Sequence, residues 1–298
     1  MARKQGISLK EAYNLFLVDR RSRGFTPATL RFYRDKVGLF VRWCESQAAT
    51  QLDDLNPHLI RAYFVALIDK GNNDATRNGA GRGIRAFCLW AVADGLLKSS
   101  PLTNVSIPRP PKAIPPAFSR DDVKKLYTVA PDARSRALVL FLLDTGVRVQ
   151  ELANLNGDDV NMSTGEVRVR RGKGSKDRTV YMGARSRRAL IGYYGEAGWA
   201  EGEEPVWRNE RNDNRLTDSG IRRLLRVLGE EAGVKHSHPH TFRRTFALWN
   251  LRAGMNIYTL ARLMGHSDIQ ILKTYLALVE GDLAEAHRRA GIVDNLLK

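Results

Sequence analysis

Cysteine is nearly absent: the 298 residues hold two, Cys44 and Cys88. Six histidines are present, but no CxxC pair and no HExxH motif accompanies them. A disulfide scaffold and the common zinc frameworks are thereby excluded, and no metal is expected. Both cysteines fall in apolar helical patterns, which reads as buried thiols in a reducing cytosol. No run of 18 apolar residues occurs, and the opening MARKQG lacks the apolar centre of a signal peptide. No membrane partner is expected, and the chain is assigned to the cytoplasm, at the nucleoid. Acidic residues are outnumbered: 32 Asp and Glu stand against 48 Lys and Arg, a net charge of +16. Residues 1–112 carry 18 basic and 9 acidic side chains, and residues 113–298 carry 30 and 23. Both halves are basic, so a polyanion touching both, nucleic acid rather than membrane, is the expected partner.

The length suits two domains, each with its own core. In the first half, Ser8 and Glu11 form a capping-box pattern ahead of Leu9, Ala12, Leu15 and Phe16. Thr26-Pro27 opens a second helix with the stripe Leu30, Tyr33, Val37, Phe40 and Cys44. Asn56-Pro57 opens a third, and a fourth runs from about Asp74 to Asp94 and stops at Gly95. Four helices with short joints make a small bundle. The outer face of the fourth carries Arg77, Arg82 and Arg85, readable as phosphate contacts or as a solvated face. The NGAGRG run at residues 78–83 follows no strand, so a nucleotide-binding loop is rejected. Residues 99–117 contain six prolines, the composition of a stiff linker. The expected division is a helical domain over 1–108, a linker over 109–118 and a larger domain over 119–298.

In the second half, Ser119 and Asp122 open a helix, and an apolar helix from Ala137 to Leu143 runs into DTGVRVQEL. Arg148 starts a short helix there, with Glu151 one turn on as an anion partner. Val167 and Val169, then Val180 and Met182, alternate as strands around the basic turn RGKGSKDR. The turn is no Walker loop: Val167 stands where its first glycine belongs, and Gly174 follows Lys173 where Ser or Thr is needed. Residues 184–233 read as two helices around a polar loop, roughly Gly198 to Asn214. The second of these helices shows Arg222, Arg223 and Arg226 along a face, candidate DNA contacts. Next comes HTFRRTFALWNLRAGMNIYTLARLMGHSDIQILKTY, residues 240–275. His240 and Arg243 share one helix face, behind Pro239 and ahead of a stop near Gly254. A second helix carries Ile257, Leu260, Ala261 and Met264 and ends at Gly265, a natural C′ residue. His266 and Tyr275 follow, then a helical pattern from Asp282 to about Ala290. Taken singly, His240 reads as a cap and Tyr275 as half-buried core.

The constellation TGVR, GKGSKDR, HTFR, LMGH and a Tyr nine residues later resembles the tyrosine recombinases, the phage-integrase and Xer-type strand-exchange enzymes. The resemblance implies a mainly α fold with a small antiparallel β-sheet: an N-terminal four-helix core-binding domain and an α/β catalytic domain. It implies the catalytic set Arg148, Lys173, His240, Arg243, His266 and Tyr275, with Glu151 steadying Arg148 and Lys176 and Arg178 touching backbone phosphates. Two arginines can grip a phosphodiester and offset the charge that grows in its transition state. Tyr275 then attacks phosphorus, Lys173 protonates the departing 5′-oxygen, and the histidines handle the phenol proton and a phosphate oxygen. No cofactor, ATP or metal enters this scheme. The implied partners are duplex DNA with inverted half-sites and three further copies of the chain, the segment after Tyr275 docking on a neighbour. Two alternatives on the same fold are a type IB-like topoisomerase and a non-catalytic DNA-binding regulator. Arg244 stands where housekeeping Xer proteins have His, and ILKTYLAL replaces their TTxxYTH, which favours a mobile-element integrase. With only about seven residues ahead of the first helix, the extra N-terminal arm-site domain of some integrases is not expected.

Overall fold

The structure, a computed structural model, describes residues 6–109, 117–170, 177–210 and 212–265. It forms two compact units, Met1–Ala113 and Ile114–Lys298. Among the described residues the chain is mainly helical, with one two-stranded antiparallel sheet, as the sequence leads one to expect.

The first unit is built from α1 (Leu9–Ser22), α2 (Pro27–Ser46), α3 (Pro57–Asp69) and α4 (Asp74–Ala93). Each start is capped by a side chain taking up N–H groups that have no partner inside the helix. Ser8 Oγ accepts from Glu11 at 3.1 Å, and Asn56 Oδ1 accepts from His58 and Leu59 at 3.0 Å. Pro27 and Pro57 stand in the first turns of their helices. Phe16, Phe40, Ile60, Ile84, Phe87 and Cys88 fill the core, with Phe16 edge-on to Phe87 at 5.5 Å. Leu15, expected on the apolar side of α1, is 43% exposed. The buried row is Leu9, Ala12 and Phe16, spaced three and four, and Leu15 falls off it.

The NGAGRG run lies inside α4, where its glycines serve close packing. A Cβ on Gly81 would sit 2.5 Å from Ile107 Cγ2, and one on Gly83 would sit 3.0 Å from Lys36 Cβ. The start of the proline-rich stretch is not free linker. Leu102 and Val105 are buried in the bundle core, and Arg61 and Asn78 donate to the Asn104 and Pro108 carbonyls at 2.9 and 2.8 Å.

The second unit comprises α5 (Arg120–Val129), α6 (Ala133–Thr145), α7 (Val149–Ala153), β1 (Glu166–Val169), β2 (Arg178–Tyr181), α8 (Ala184–Ala197), α9 (Asp218–Ala232), α10 (Pro239–Arg252) and α11 (Ile257–Met264). The Ser119–Asp122 capping box forms, with Asp122 N–H on Ser119 Oγ at 3.1 Å and Ser119 N–H on Asp122 Oδ2 at 2.9 Å. The strands pair from Glu166↔Tyr181 to Val169↔Arg178, and Val167, Val169, Val180 and Met182 point inward. The apolar α6 packs against both α8 and α10. Trp207, expected within a polar loop, is fully buried. It stacks on Tyr193 at 5.6 Å and meets Phe141 edge-on at 5.5 Å, so the segment after α8 is anchored to the core. Phe246, Ala247, Leu251, Leu260, Ala261 and Met264 form a smaller cluster joining α10 to α11. The helix expected from Asp282 lies outside the described residues.

Candidate functional site

The site begins at the corner between α6 and α7. Gly146 ends α6 in the left-handed region at φ 59°. A Cβ there would lie 2.3 Å from Phe246 Cδ1, so both the backbone angle and the space require glycine. The turn places Arg148 at the N-cap of α7, with Glu151 three residues on. The Arg148 N–H donates to Glu151 Oε2 at 2.7 Å, and its Nη1 donates to Oε1 at 3.0 Å.

Glu151 has a second arginine. Arg178, the first residue of β2, donates from Nη1 to Oε1 at 2.8 Å and from Nη2 to Oε2 at 2.7 Å. Its Nε donates to the Leu263 carbonyl at 2.7 Å. Burial acts to raise the Glu151 carboxyl, but hydrogen bonds and charge from Arg178 and Arg148 outweigh it and hold the group down at about 2. Arg178 was expected to touch phosphate. Instead its side chain is 8% exposed, and all three of its guanidinium nitrogens bond protein oxygens, those of Glu151 and the Leu263 carbonyl.

Arg243, in the second turn of α10, is also buried. It donates from Nη1 to the Gly146 carbonyl at 2.6 Å and from Nη2 to the Met264 carbonyl at 2.5 Å. Arg178 and Arg243 thus hold successive carbonyls at the C-terminal end of α11. A helix leaves its last carbonyls without internal partners, and its dipole favours cations there. Gly265 then turns left-handed at φ 61°, as its C′ position requires.

His240 occupies the first turn of α10, one turn ahead of Arg243, with its side chain exposed. Partial desolvation, then the positive charges of Arg222 and Arg244, lower its pKa below the ordinary histidine value. His238, the N-cap residue, is lowered too, by burial first and by Arg244 second. In both, the lowered pKa favours the neutral imidazole, the form able to accept a proton. The sequence pattern singled out neither Arg222 as a neighbour of His240 nor Arg178 as a neighbour of Glu151. The one available signal was Arg178's place at the head of a strand whose alternate residues are buried.

The fold therefore brings Arg243 and Arg178, distant in the chain, to the corner that carries Arg148 and Glu151. Lys173, Lys176, His266 and Tyr275 lie outside the described residues. Of the expected DNA contacts, Arg77 is paired with Asp74. Arg82 and Arg85 are exposed and line a groove of about 500 Å³ with Asn78 and Arg109. Arg222 and Arg223 are exposed on α9 and line a groove of about 900 Å³ with Lys235, His236 and His238. Among the described residues, no group of three or more His, Cys, Asp or Glu is arranged to hold a metal ion, and no helix is long and apolar enough to cross a membrane.

Comparison with known proteins bears on the whole chain. The phage integrase family model matches residues 117–281. Tyrosine recombinase XerA of Pyrococcus furiosus is 33% identical over 92% of this chain and 92% of its own length. The crystal structure of XerA recombinase is 28% identical, with a TM-score of 0.53, covering 95% of this chain and 98% of that one. A lambda integrase tetramer bound to a Holliday junction is 17% identical with a TM-score of 0.75, covering 91% of this chain and 78% of that one, and shares the fold. An arginine at a TGVR corner, a carboxylate steadying it and a second arginine from HTFR, set in a chain matched from its helical bundle to its last helices, make one conclusion: the chain belongs to the phage integrase family and is a tyrosine recombinase.

Proposed function

We propose that this tyrosine recombinase cleaves and rejoins duplex DNA at a specific site through a 3′-phosphotyrosyl bond to Tyr275, without metal or ATP. The observation that carries the reading is the convergence of Arg148 and Arg243 on the Gly146–Arg148 turn. Two guanidinium groups at one corner suit the non-bridging oxygens of a single phosphodiester, whose charge grows as the nucleophile adds. They supply the electrostatic role that a metal ion has in many phosphoryl-transfer enzymes.

Tyr275 attacks phosphorus and the 5′-oxygen departs, so the phosphate ester passes to the phenol oxygen and its energy is retained for rejoining. Lys173 donates the proton that the 5′-oxygen takes up. His240, whose pKa is lowered by partial desolvation and by its arginine neighbours, receives the phenol proton or a hydrogen bond from the attacking group. His266, which follows Gly265 at the held end of α11, donates to a phosphate oxygen. Arg82 and Arg85 on the helical unit, and Arg222 and Arg223 on α9, contact the DNA backbone. The substrate is a pair of inverted half-sites. Each chain carries one nucleophile and two duplexes have four strands to cut, so four protomers assemble, as in the lambda integrase tetramer on its junction.

The test is a nicked suicide substrate, which traps the covalent complex. Tyr275→Phe keeps DNA binding and forms no covalent adduct, and the wild-type protein forms it equally well in EDTA. Trapping by Tyr275→Phe rules out that nucleophile. Loss of trapping in EDTA, restored by magnesium, rules out the metal-free scheme.

A further inference from the structure

The Arg148–Glu151–Arg178 triple holds two positive charges and one negative around a single carboxylate. Each Glu151 oxygen accepts one bond from each arginine. The two arginines do not share it equally. Arg178 engages with a full fork, Nη1 and Nη2 on separate oxygens, and its Nε is bonded to the Leu263 carbonyl. Arg148 reaches the carboxylate with its backbone N–H and with Nη1. Exposure follows the same gradient: Arg178 is 8% exposed, Glu151 12% and Arg148 41%. The inner arginine is committed to the protein and the outer one faces solvent.

A carboxylate this buried needs a full countercharge. With Arg148 as sole partner, it would draw that guanidinium into its own fork, and the pair would be neutral. With Arg178 present, the carboxylate is already matched and the triple keeps one net positive charge, carried on the exposed Arg148. We propose that Arg178 is a positioning residue: by neutralising Glu151 from the inside, it leaves the charge and outward donors of Arg148 directed at the scissile phosphate. The inference rests on the reading that Arg148 grips that phosphate. It also accounts for arginine at 178, since lysine would supply the charge but not the planar fork that spans both carboxylate oxygens.

A double-mutant cycle tests it, with covalent-complex formation on the suicide substrate measured at saturating DNA. The proteins are the wild type, Arg178→Met, Glu151→Gln, the double variant and Arg148→Ala. Arg178→Met slows covalent trapping about 30-fold while half-site affinity stays within about 3-fold, the scale of weakening one transition-state donor. In the Glu151→Gln background the same substitution slows trapping less than about 3-fold, because no carboxylate is left to neutralise. Arg178→Lys recovers part of the rate. Equal losses from Arg178→Met in both backgrounds, or an unchanged rate in Arg178→Met, overturns the proposal. Where thermal melting shows that Arg178→Met alone does not fold, Arg178→Lys, which keeps a cation beside Glu151, is compared with the wild type instead, and a wild-type trapping rate there overturns the proposal. Wild-type trapping by Arg148→Ala defeats the phosphate reading itself. A slow Arg148→Ala beside an unaffected Arg178→Met defeats the Arg178 proposal alone.

Discussion

Arg148 and Arg243 are both arginines aimed at one corner, yet the fold uses them differently. Arg243 is buried and holds the Gly146 and Met264 carbonyls, whereas Arg148 is half open and shares its carboxylate with Arg178. Alanine at either position is expected to slow covalent trapping at least ~100-fold, the scale of losing one transition-state donor. Their stabilities should part. Arg243→Ala removes the donor from two carbonyls in the protein interior and destabilises by about 2 kcal/mol or more. Arg148→Ala leaves Glu151 paired with Arg178 and shifts the melting temperature little. Urea titrations beside the trapping assay check both halves. His240 gives a pH prediction. Its pKa is depressed by desolvation, with Arg222 and Arg244 adding to the effect, so the neutral form persists below the ordinary histidine range. Trapping should hold steady as pH falls to about 6.5 and decline only below it. Arg222→Ala removes one cation, raises the His240 pKa and moves the decline to higher pH. A profile that keeps its midpoint in Arg222→Ala would separate His240 from the titrating step. Of these residues, the sequence pattern marked Arg148, Glu151, His240 and Arg243. It left the Arg178 and Arg222 partnerships unmarked, because both join residues far apart in the chain.

At the scale of elements, turns and close approaches set the site more than the helices do. Gly146 ends α6 at positive φ with Phe246 of α10 seated against it. Gly146→Ala combines the strain of a left-handed alanine with a contact of 2.3 Å to a ring carbon. The expected loss is about 2–3 kcal/mol, with a fall in trapping larger than the stability loss explains, because the same turn carries Arg148. Trapping measured well below the melting temperature checks this; an unchanged rate there would show that the corner tolerates the shift. Helix starts are legible from local chemistry: Ser8, Thr26, Asn56 and Ser119 each cap as their position before an apolar run suggests. Burial of Trp207 is not, since a tryptophan among Glu, Asn and Asp gives no local sign that Tyr193 and Phe141 will close over it.

Over the whole molecule, the charge surplus and the assembly are the open quantities. Both halves are basic, so DNA affinity should fall steeply with salt. We propose that assembly runs through the segment after Tyr275, whose sequence holds the apolar residues Ile292, Val293, Leu296 and Leu297. Deleting residues 282–298 is expected to spare binding of one protomer to a half-site. It should remove cooperative binding to a full site and block the four-protomer complex. Gel shifts with half-site and full-site DNA read this directly. Cooperative full-site binding and recombinant product from the truncated protein would show that the tail does not couple the protomers.

The sequence by itself determined the helix starts and stops, the strand alternation of Val167, Val169, Val180 and Met182, the basic surplus and the residue types of the site. Each of these is a local or additive property: a cap needs its own next turn, a strand its own alternation, a net charge only a count. Tertiary structure alone decided which partners those residues take. Glu151 meets Arg178 across 27 positions, and Arg243 meets the Gly146 carbonyl across 97. Gly81 makes way for Ile107, so that a glycine run resembling a nucleotide loop becomes a helix contact. These pairings arise when separate elements bury their apolar faces together, and their polar groups must then find partners among whatever that packing brings within reach.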